Sequence, residues 1–427
     1  MVGVMLTSHA ADVNVPKMMR LRRVLRAVGL VSAGMALVGC DRTDAPAIGA
    51  FVPIDSPAAS PSGESNLAVD ASGVVHLTWL ERLPDSSVAV RYARREAETW
   101  GPTRTIATNR DLFVNWADFP SVTVTSSGRL VVHWLQRSAA GKYSYDAMLA
   151  HSTDQGETWS TPVRLHADSS ASEHGFVSVV PVADSAIAFW LDGGATTGGE
   201  GSDHGAMQVR SVSISAAGAL GAEALVDEKS CDCCQTASAL TSRGPIVVYR
   251  DRSDDEIRDI VVSRFAAGKW TPPAPVHNDG WHIEACPVNG PAIVANGDTV
   301  AVAWFTGARD TARVQVAYSF DAGASFGAPV RLDAGHPAGR VAMTADGRGA
   351  VIVAWVERLP GEAAEVRARV IAPDGRAMAA TVVTRSHAAR ASGFPHLARA
   401  GNRLYASWTE PGDSARVRVA VASLAKR

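Results

Sequence analysis

A β-rich run that ends in an aromatic residue recurs seven times along the chain, and this repeat constrains the fold more than any other feature. The aromatic positions lie 51 to 59 residues apart. They are Trp79, Trp134, Trp190, Tyr249, Trp304, Trp355 and Trp408. A shorter apolar run precedes each one and an alternating run follows it, while no useful amphipathic helical pattern occurs after residue 65. Four short strands at a fixed period are typical of one blade of a β-propeller.

The seventh unit stops after its third strand, near Leu424. A strand from residues 47–54 would complete that blade and close the ring, and closure removes the unpaired edges of an open sheet. We therefore predict an all-β propeller of seven four-stranded blades, with six blades as the alternative. The recurring tryptophans are predicted to be core residues, because large aromatic side chains suit the packing between twisted sheets.

The N-terminal region has the pattern of an export signal. Five basic residues between positions 17 and 26 precede an apolar stretch, residues 27–39, which is shorter than the roughly 20 residues needed to span a bilayer. The stretch ends Leu37, Val38, Gly39, Cys40, which resembles the lipobox of bacterial lipoproteins. The resemblance implies cleavage before Cys40 and lipidation of its thiol. An uncleaved anchor or an ordinary signal peptide is the alternative.

These patterns divide the chain into three parts: an export signal (1–39), a flexible tether rich in Ala, Pro, Ser and Asp (40–64), and the propeller (65–427). The lipobox resemblance implies anchorage in the bacterial cell envelope. Asp41, directly after the cysteine, resembles an inner-membrane retention signal of enteric bacteria. Because this rule varies between bacteria, inner and outer membrane both stay open as the place of anchorage. With 41 basic and 43 acidic side chains, the net charge of -2 gives no attraction to nucleic acid, so no nucleic-acid partner is expected.

Two turns between third and fourth strands share the pattern S-x-D-x-G-x-[ST]-[WF], and they lie 167 residues apart. Their residues are Ser152, Asp154, Gly156 and Trp159 in the first, and Ser319, Asp321, Gly323 and Phe326 in the second. The carboxylate can accept turn amides and glycine supplies a positive φ. The chain here resembles the Asp-box (BNR) propellers, the fold of sialidases. The resemblance implies a structural role for these residues.

The strand order places the Asp boxes on one face of the ring, and the second-to-third-strand loops and the crossings between blades on the other. The second face collects arginines, acidic residues and histidines, among them Trp116 with Asp118, His174, Arg358 and Arg390. Guanidinium groups bind carboxylates through paired hydrogen bonds, whereas a solvated rim of salt-bridged loops is the alternative interpretation. The candidate ligand-binding residues are Arg250, Asp251, Arg252, Trp281, His282 and Glu284.

Four of the five cysteines form a group that we call the cysteine cluster: Cys231, Cys233, Cys234 and Cys286. They lie at the crossings that flank the fourth blade, so they are expected to approach one another. Export favours disulfides, and two disulfides are the first interpretation. A thiolate site for copper or zinc, with His282 as a further ligand, and a redox-active pair are the alternatives.

Sialidases resemble one another in three arginines that hold the substrate carboxylate, a Tyr–Glu nucleophile pair and an Asp acid/base. Their Arg-Ile-Pro motif does not occur in this sequence. Tyr249 beside Arg250 offers both residue types, but Tyr249 occupies a repeated core position. The resemblance thus implies an envelope-anchored propeller that acts on or binds acidic glycans, with exo-glycosidase activity uncertain. A noncatalytic propeller that binds a glycan or an envelope protein, and a metal-binding or redox lipoprotein, are the alternatives.

Overall fold

The computed structural model describes residues 47–196 and 206–425. The predicted export signal, Cys40, Asp41 and the first part of the predicted tether lie outside the described residues. No helix within the described ranges is long and apolar enough to cross a membrane.

Strands make up almost all of the regular structure. The closing strands and the first two blades are β1 (Ala47–Ile48), β2 (Val52–Ile54), β3 (Ser62–Val69), β4 (Val75–Arg82), β5 (Val88–Glu96), β6 (Thr99–Trp100), β7 (Arg104–Asn109), β8 (Ser121–Val124), β9 (Leu130–Arg137), β10 (Tyr145–Ser152) and β11 (Val163–Arg164). The third and fourth blades are β12 (His174–Val182), β13 (Ser185–Asp192), β14 (Met207–Ile214), β15 (Leu220–Ser230), β16 (Ala237–Thr241), β17 (Gly244–Arg250), β18 (Ile260–Ala266), β19 (Lys269–Trp270) and β20 (Ala274–Pro275). The remaining strands are β21 (Ala292–Asn296), β22 (Thr299–Thr306), β23 (Arg313–Ser319), β24 (Val330–Arg331), β25 (Pro337–Ala345), β26 (Val351–Arg358), β27 (Ala363–Ile371), β28 (Thr381–His387), β29 (His396–Ala400), β30 (Arg403–Glu410) and β31 (Arg416–Ala425), with 3₁₀ turns at Ala308–Asp310 and Arg390–Ser392.

These strands form seven antiparallel sheets, so the seven-bladed, all-β propeller is confirmed. In each blade the strands follow one another from the inside outwards. The first strand of every blade lines a cavity of about 350 Å³ on the axis of the ring. In blades 1, 4 and 7 the outermost strand is split in two, as in β6 and β7, which both pair with β5.

The ring is closed by the N-terminal strands, as predicted. β1 and β2 both pair antiparallel with β31, in registers that include Ile48 with Leu424 and Val52 with Val421. Blade 7 therefore takes its outer strand from the opposite end of the chain. The propeller begins at Ala47, earlier than the predicted residue 65, and the later part of the predicted tether belongs to the ring.

The hydrophobic core is divided into seven clusters, one at each interface between neighbouring blades. The repeated aromatic residues of the second strands are buried, as predicted, and all of them except Trp408 belong to these clusters; Trp190 and Tyr249 are fully buried. Several indole N–H groups reach a carboxylate, as in the 2.7 Å bond from Trp190 to Asp192. Replacing such a tryptophan with alanine costs about 3–5 kcal/mol.

The Asp-box turns have the structural role that the resemblance implies. Asp154 accepts hydrogen bonds from the Ser152 hydroxyl at 2.7 Å and from the Thr158 amide at 2.9 Å. These bonds lower the pKa of Asp154 to about 2, the hydroxyl of Thr158 contributing most. Gly156 has a φ of 89°, and a Cβ there would overlap Tyr92. The turn at Ser319, Asp321, Gly323 and Phe326 repeats these bonds, and Trp159 and Phe326 pack against the clusters between blades.

Candidate functional site

Two of the residues predicted to bind a ligand are buried and serve the fold instead. Arg250, 1% exposed, donates hydrogen bonds to the backbone carbonyls of Asn289, Arg258 and Phe305 at 2.6 to 3.1 Å. Its guanidinium lies over the buried ring of Trp281, with its carbon 4.8 Å from the ring centroid. Arg250 has four of its five N–H groups engaged by the protein. It ties blade 4 to the crossing that follows, so the predicted role in ligand binding is corrected to a structural one.

The other predicted ligand residues of this region are largely paired among themselves. Arg252 forms an ion pair with Glu256 at 2.7 Å. Asp251 accepts the amide of Arg252, and its burial raises its pKa to about 6. His282 and Glu284 are exposed, with 3.9 Å between Nε2 and the carboxylate. These contacts fit the solvated-rim interpretation.

The cysteine cluster contains one disulfide, between Cys233 and Cys286. Cys231 and Cys234 are buried free thiols whose sulfur atoms lie 3.4 Å apart. One of the two predicted disulfides is therefore confirmed, and the second pair is adjacent but reduced. Cys231 also accepts a 3.4 Å hydrogen bond from Arg258. The bond with Cys234 and the charges of the nearby arginines lower the pKa of Cys231 to about 7, whereas burial raises that of Cys234.

Residues 115–119, which lead from β7 into β8, lie over the end of the axial cavity, and we call them the cap segment. Trp116 stacks on Phe394 at the start of blade 7, with 5.8 Å between ring centroids. Gln235, at the start of blade 4, donates its side-chain amide to the carbonyl of Ala117. Because these partners precede the inner strands of well-separated blades, the segment crosses the centre of the ring.

The rest of the cap segment faces the cavity. Asp118 accepts the amide of Phe176, at the inner strand of blade 3, and Phe119 packs edge-on against His396 of blade 7, 4.3 Å between centroids. Both cap residues line the cavity of about 350 Å³. The cap segment is thus one wall of the only cavity that all seven inner strands of the described chain share.

Two arginines, Arg340 and Arg390, lie against the Trp116 ring, and Arg358 is close enough for its charge to act on Arg340; we call these three residues the arginine cluster. The carbons of the Arg340 and Arg390 guanidinium groups lie 4.9 and 5.8 Å from the Trp116 ring centroid. Burial, and then the charges of Arg358 and Arg390, lower the pKa of Arg340 to about 10. Within residues 47–196 and 206–425, none of the three makes an ion pair with a carboxylate. Three cations without a counter-charge define a site for an anion.

Arg340 also holds the turn that carries Arg390 in place. Its guanidinium is buried and donates to the carbonyls of Ala388, Ala389 and Gly393 at 3.0 to 3.2 Å. These bonds fix the 3₁₀ turn that carries Arg390. Arg358 and Arg390 are exposed and keep their guanidinium groups accessible.

Two carboxyl groups at the starts of the first two blades have raised pKa values. Burial raises the pKa of Asp118 to about 7, opposed by the single amide bond from Phe176. Burial also raises the pKa of Glu64 to about 7, opposed by the charge of Arg82. A carboxyl group that titrates near neutral pH suits general acid/base chemistry.

The backbone is strained where three inner strands begin. Glu64, Phe176 and Arg340 each follow a glycine and have φ values of 51°, 53° and 54°. Each one lies at a shift of register, so the strand is bulged there. Such strain and bulges are concentrated at functional sites. The glycine before a bulky or charged residue at the start of these strands is the sequence signal that could have located them.

A Tyr–Glu pair does occur beside the cap segment, but it is buried. Tyr145 donates its hydroxyl to Glu173, and the charges of Glu173 and Asp118 add to burial in raising its pKa well above 10. Tyr145 is fully buried against Phe113, 4.2 Å between ring centroids. A tyrosine that keeps its hydroxyl proton this firmly and has no access to solvent is not suited to act as a nucleophile. Tyr249 is a core residue, as expected.

Fold and site together define a seven-bladed propeller with a capped axis and a cationic surface beside the cap. Residues 79–336 match the family of the BNR repeat-like domain, and the chain belongs to that family. The Asp-box resemblance is thereby confirmed. A comparison with curated proteins finds no significant match.

The solved structures that are similar to this chain share little of its sequence. A protein of unknown function from Dyadobacter fermentans is 12% identical, with a TM-score of 0.52 over 89% of this chain and 100% of its own. The phage phi92 endosialidase is 10% identical, with a TM-score of 0.49 over 90% of this chain and 69% of its own. The polysaccharide lyase Uly1 is 10% identical, with a TM-score of 0.48 over 88% and 92%. The first likeness supports the fold alone.

Proposed function

We propose that this propeller binds an acidic glycan at the arginine cluster beside the cap segment. The observation that carries the proposal is that Arg340, Arg358 and Arg390 form one group of cations beside Trp116, with no carboxylate partner among the described residues. Buried or crowded cations without a counter-ion are costly, and a bound carboxylate or sulfate relieves that cost. Trp116 supplies an aromatic surface for a sugar ring.

The two carboxyl groups extend the proposal from binding to turnover. Asp118 and Glu64 hold protons near neutral pH, so each can donate to a leaving oxygen or accept from a nucleophile. Asp118 is the stronger candidate because it lines the axial cavity. A noncatalytic glycan-binding propeller is the alternative, and it needs the arginine cluster but neither carboxyl group.

Calorimetric titration tests the binding. The acidic ligands are sialylated, uronate-containing and sulfated oligosaccharides, and neutral oligosaccharides of the same length are the comparison. We expect only the acidic ones to bind, and the double change Arg358→Ala with Arg390→Ala to weaken that binding about 10–100-fold per lost charge-assisted bond. Both residues are exposed, so the fold is retained. Arg376→Ala is the matched control, because Arg376 lies on the opposite face of the same blade. Equal binding of neutral glycans, or no binding at all, would contradict the proposal.

Product assays test the turnover. They measure hydrolysis or elimination of the same glycans and release of the fluorophore from fluorogenic glycosides. We expect Asp118→Asn to abolish product formation while binding persists. Binding without any product from the unchanged protein leaves the noncatalytic alternative.

We also propose that the chain is exported and lipid-anchored through Cys40, with the propeller held at the membrane surface. The lipobox-like residues 37–40 support this location. Labelling with radioactive palmitate, lost on Cys40→Ser, tests it. An unlabelled chain in the membrane fraction would contradict it.

Thiol chemistry at the cysteine cluster is a second candidate function, in the form of a copper or zinc site or a redox pair. The specific observation is the pKa of about 7 at Cys231, whose sulfur lies 3.4 Å from Cys234 and 3.9 Å from Cys233. Metal analysis with thiol titration of natively purified protein tests it. Four oxidised thiols and no bound metal would eliminate the thiolate metal site.

A further inference from the structure

A second group of ligating side chains lies between blades 2 and 3. Asp146 belongs to β10, His166 follows β11, and His174 begins β12. We call these three residues the histidine cluster. The two imidazole rings are stacked, with 3.7 Å between centroids and 10° between planes, and both are buried.

Three polar atoms of the histidine cluster lie close to one another. Oδ1 of Asp146 lies 3.5 Å from Nε2 of His166 and 3.8 Å from Nδ1 of His174. All three lie within 4.8 Å of one another. None of these buried atoms has a hydrogen-bond partner in the structure.

The opposite nitrogen of each imidazole is engaged, and this sets the tautomers. Nδ1 of His166 lies 2.9 Å from the carbonyl oxygen of Asp168, so it carries the proton. Nε2 of His174 lies 3.1 Å from a carboxylate oxygen of Asp168, so it also carries the proton. The nitrogens that face Asp146 therefore present lone pairs.

Lone pairs brought this close together without a proton between them repel one another. A cation between them removes the repulsion. Metal–ligand bonds of about 2.0–2.1 Å at tetrahedral angles separate neighbouring ligand atoms by roughly 3.3 Å, close to the separations of 3.5 and 3.8 Å. The bonds from the far nitrogens to a carbonyl and a carboxylate are those that orient histidine ligands of metals.

We propose that Asp146, His166 and His174 bind a divalent transition-metal ion, with Zn²⁺ as the best match. Two imidazole nitrogens and one carboxylate oxygen suit zinc better than calcium or magnesium, which prefer oxygen ligands. Water completes the tetrahedron on the side where Asp146 is partly exposed. Asp168 is the residue that orients His174 and is not itself a ligand.

The ion would connect two blades. Asp146 and His166 come from blade 2 and His174 from blade 3, and His174 is followed by Gly175 and Phe176, whose amide holds Asp118. The metal thus fixes the strand start that supports the cap segment. This inference is independent of the proposed glycan binding, because it stands on the geometry of the histidine cluster alone.

The test uses the full chain in detergent, freed of metal by dialysis against a chelator and titrated calorimetrically with Zn²⁺. We expect one ion per chain, and Asp146→Asn to weaken binding at least 100-fold, with an unchanged circular-dichroism spectrum. The matched control is Cys231→Ser with Cys234→Ser, which removes the other ligating group and is expected to keep the affinity.

Co²⁺ gives a second readout that needs no variant. Bound at nitrogen and oxygen atoms, it shows weak visible bands without the intense near-ultraviolet band of thiolate ligands. No Zn²⁺ binding, an unaffected Asp146→Asn protein, or a thiolate band lost with the two cysteines would each overturn the proposal.

Discussion

The cysteine cluster and the histidine cluster occupy equivalent places, at crossings between successive blades, yet their polar atoms are in opposite states. In the cysteine cluster every sulfur has a partner: Cys233 and Cys286 are bonded, Arg258 and Cys234 contact Cys231, and the amide of Asn289 contacts Cys234 at 3.4 Å. In the histidine cluster three buried atoms have none. The first group is complete as a structural element, and the second is complete only with an added ion.

This difference shows that a group of rare residues in the sequence and a group of buried polar atoms without partners are separate signals of a site. Four cysteines grouped around one blade are conspicuous in a sequence. Two histidines and an aspartate on three different elements are not. The unsatisfied atoms identify the site that needs a ligand.

Removing the disulfide should have the largest effect. Cys233→Ser with Cys286→Ser should lower the free energy of unfolding by about 4 kcal/mol in the chain-entropy view, because the bond closes a loop with a sequence separation of 53. Guanidinium unfolding measures the change. Cys231→Ser with Cys234→Ser carries no cross-link and should cost less; equal losses in the two double variants would show that the cluster stabilises by packing alone.

Removing the residue that orients His174 should have an intermediate effect. Asp168→Ala leaves all three proposed ligands in place but removes the carboxylate that accepts the His174 proton at 3.1 Å. We expect Zn²⁺ binding about 10–100-fold weaker, measured calorimetrically. Asp154→Ala is the control, because that aspartate also stabilises a turn but contacts neither histidine of the histidine cluster. Unchanged affinity in Asp168→Ala would mean that the tautomer of His174 has another cause.

The fold was predictable because its signals are local or periodic. The 55-residue spacing located the second strands, such as Val351–Arg358, and the S-x-D-x-G pattern located the turns after β10 and β23. The closing strand was predicted within residues 47–54, where Ala47–Ile48 and Val52–Ile54 lie, and only the boundary of the propeller at residue 65 was placed too late.

The site was predictable only in part, because it depends on contacts between distant segments. Arg358, Arg390 and Trp116 were assigned to the correct face, but their meeting depends on the cap segment crossing the axis. Arg250 was selected because it begins a second-to-third-strand loop on the arginine-rich face, beside the cysteine cluster. The carbonyl of Asn289 that engages it lies on the next blade crossing, which sequence spacing does not reveal.

The smallest effect that we expect is a difference in the pH range over which the cysteine cluster and the histidine cluster contribute to stability. The pKa of Cys231 is lowered to about 7 by its bond with Cys234 and by Arg250 and Arg258, whereas the imidazole of His166 stays neutral down to about pH 3. A depressed acid pKa contributes stability above the unfolded value near 9, and this contribution is lost as the pH falls from 9 to 7. The His166 contribution is complete above pH 6.5 and is lost between 6.5 and 3.

Thiolate absorbance measures the first of these steps directly, as the difference between the unchanged protein and Cys231→Ser. We expect a midpoint near pH 7. The two sulfur atoms lie 3.4 Å apart, a distance that the shorter hydroxyl of a serine does not bridge. In Cys234→Ser the midpoint of Cys231 should therefore move toward the ordinary thiol value. A midpoint near 9 in the unchanged protein would show that the arginines do not act on Cys231, and the cysteine cluster would then be an inert staple whose only contrast with the histidine cluster is its disulfide.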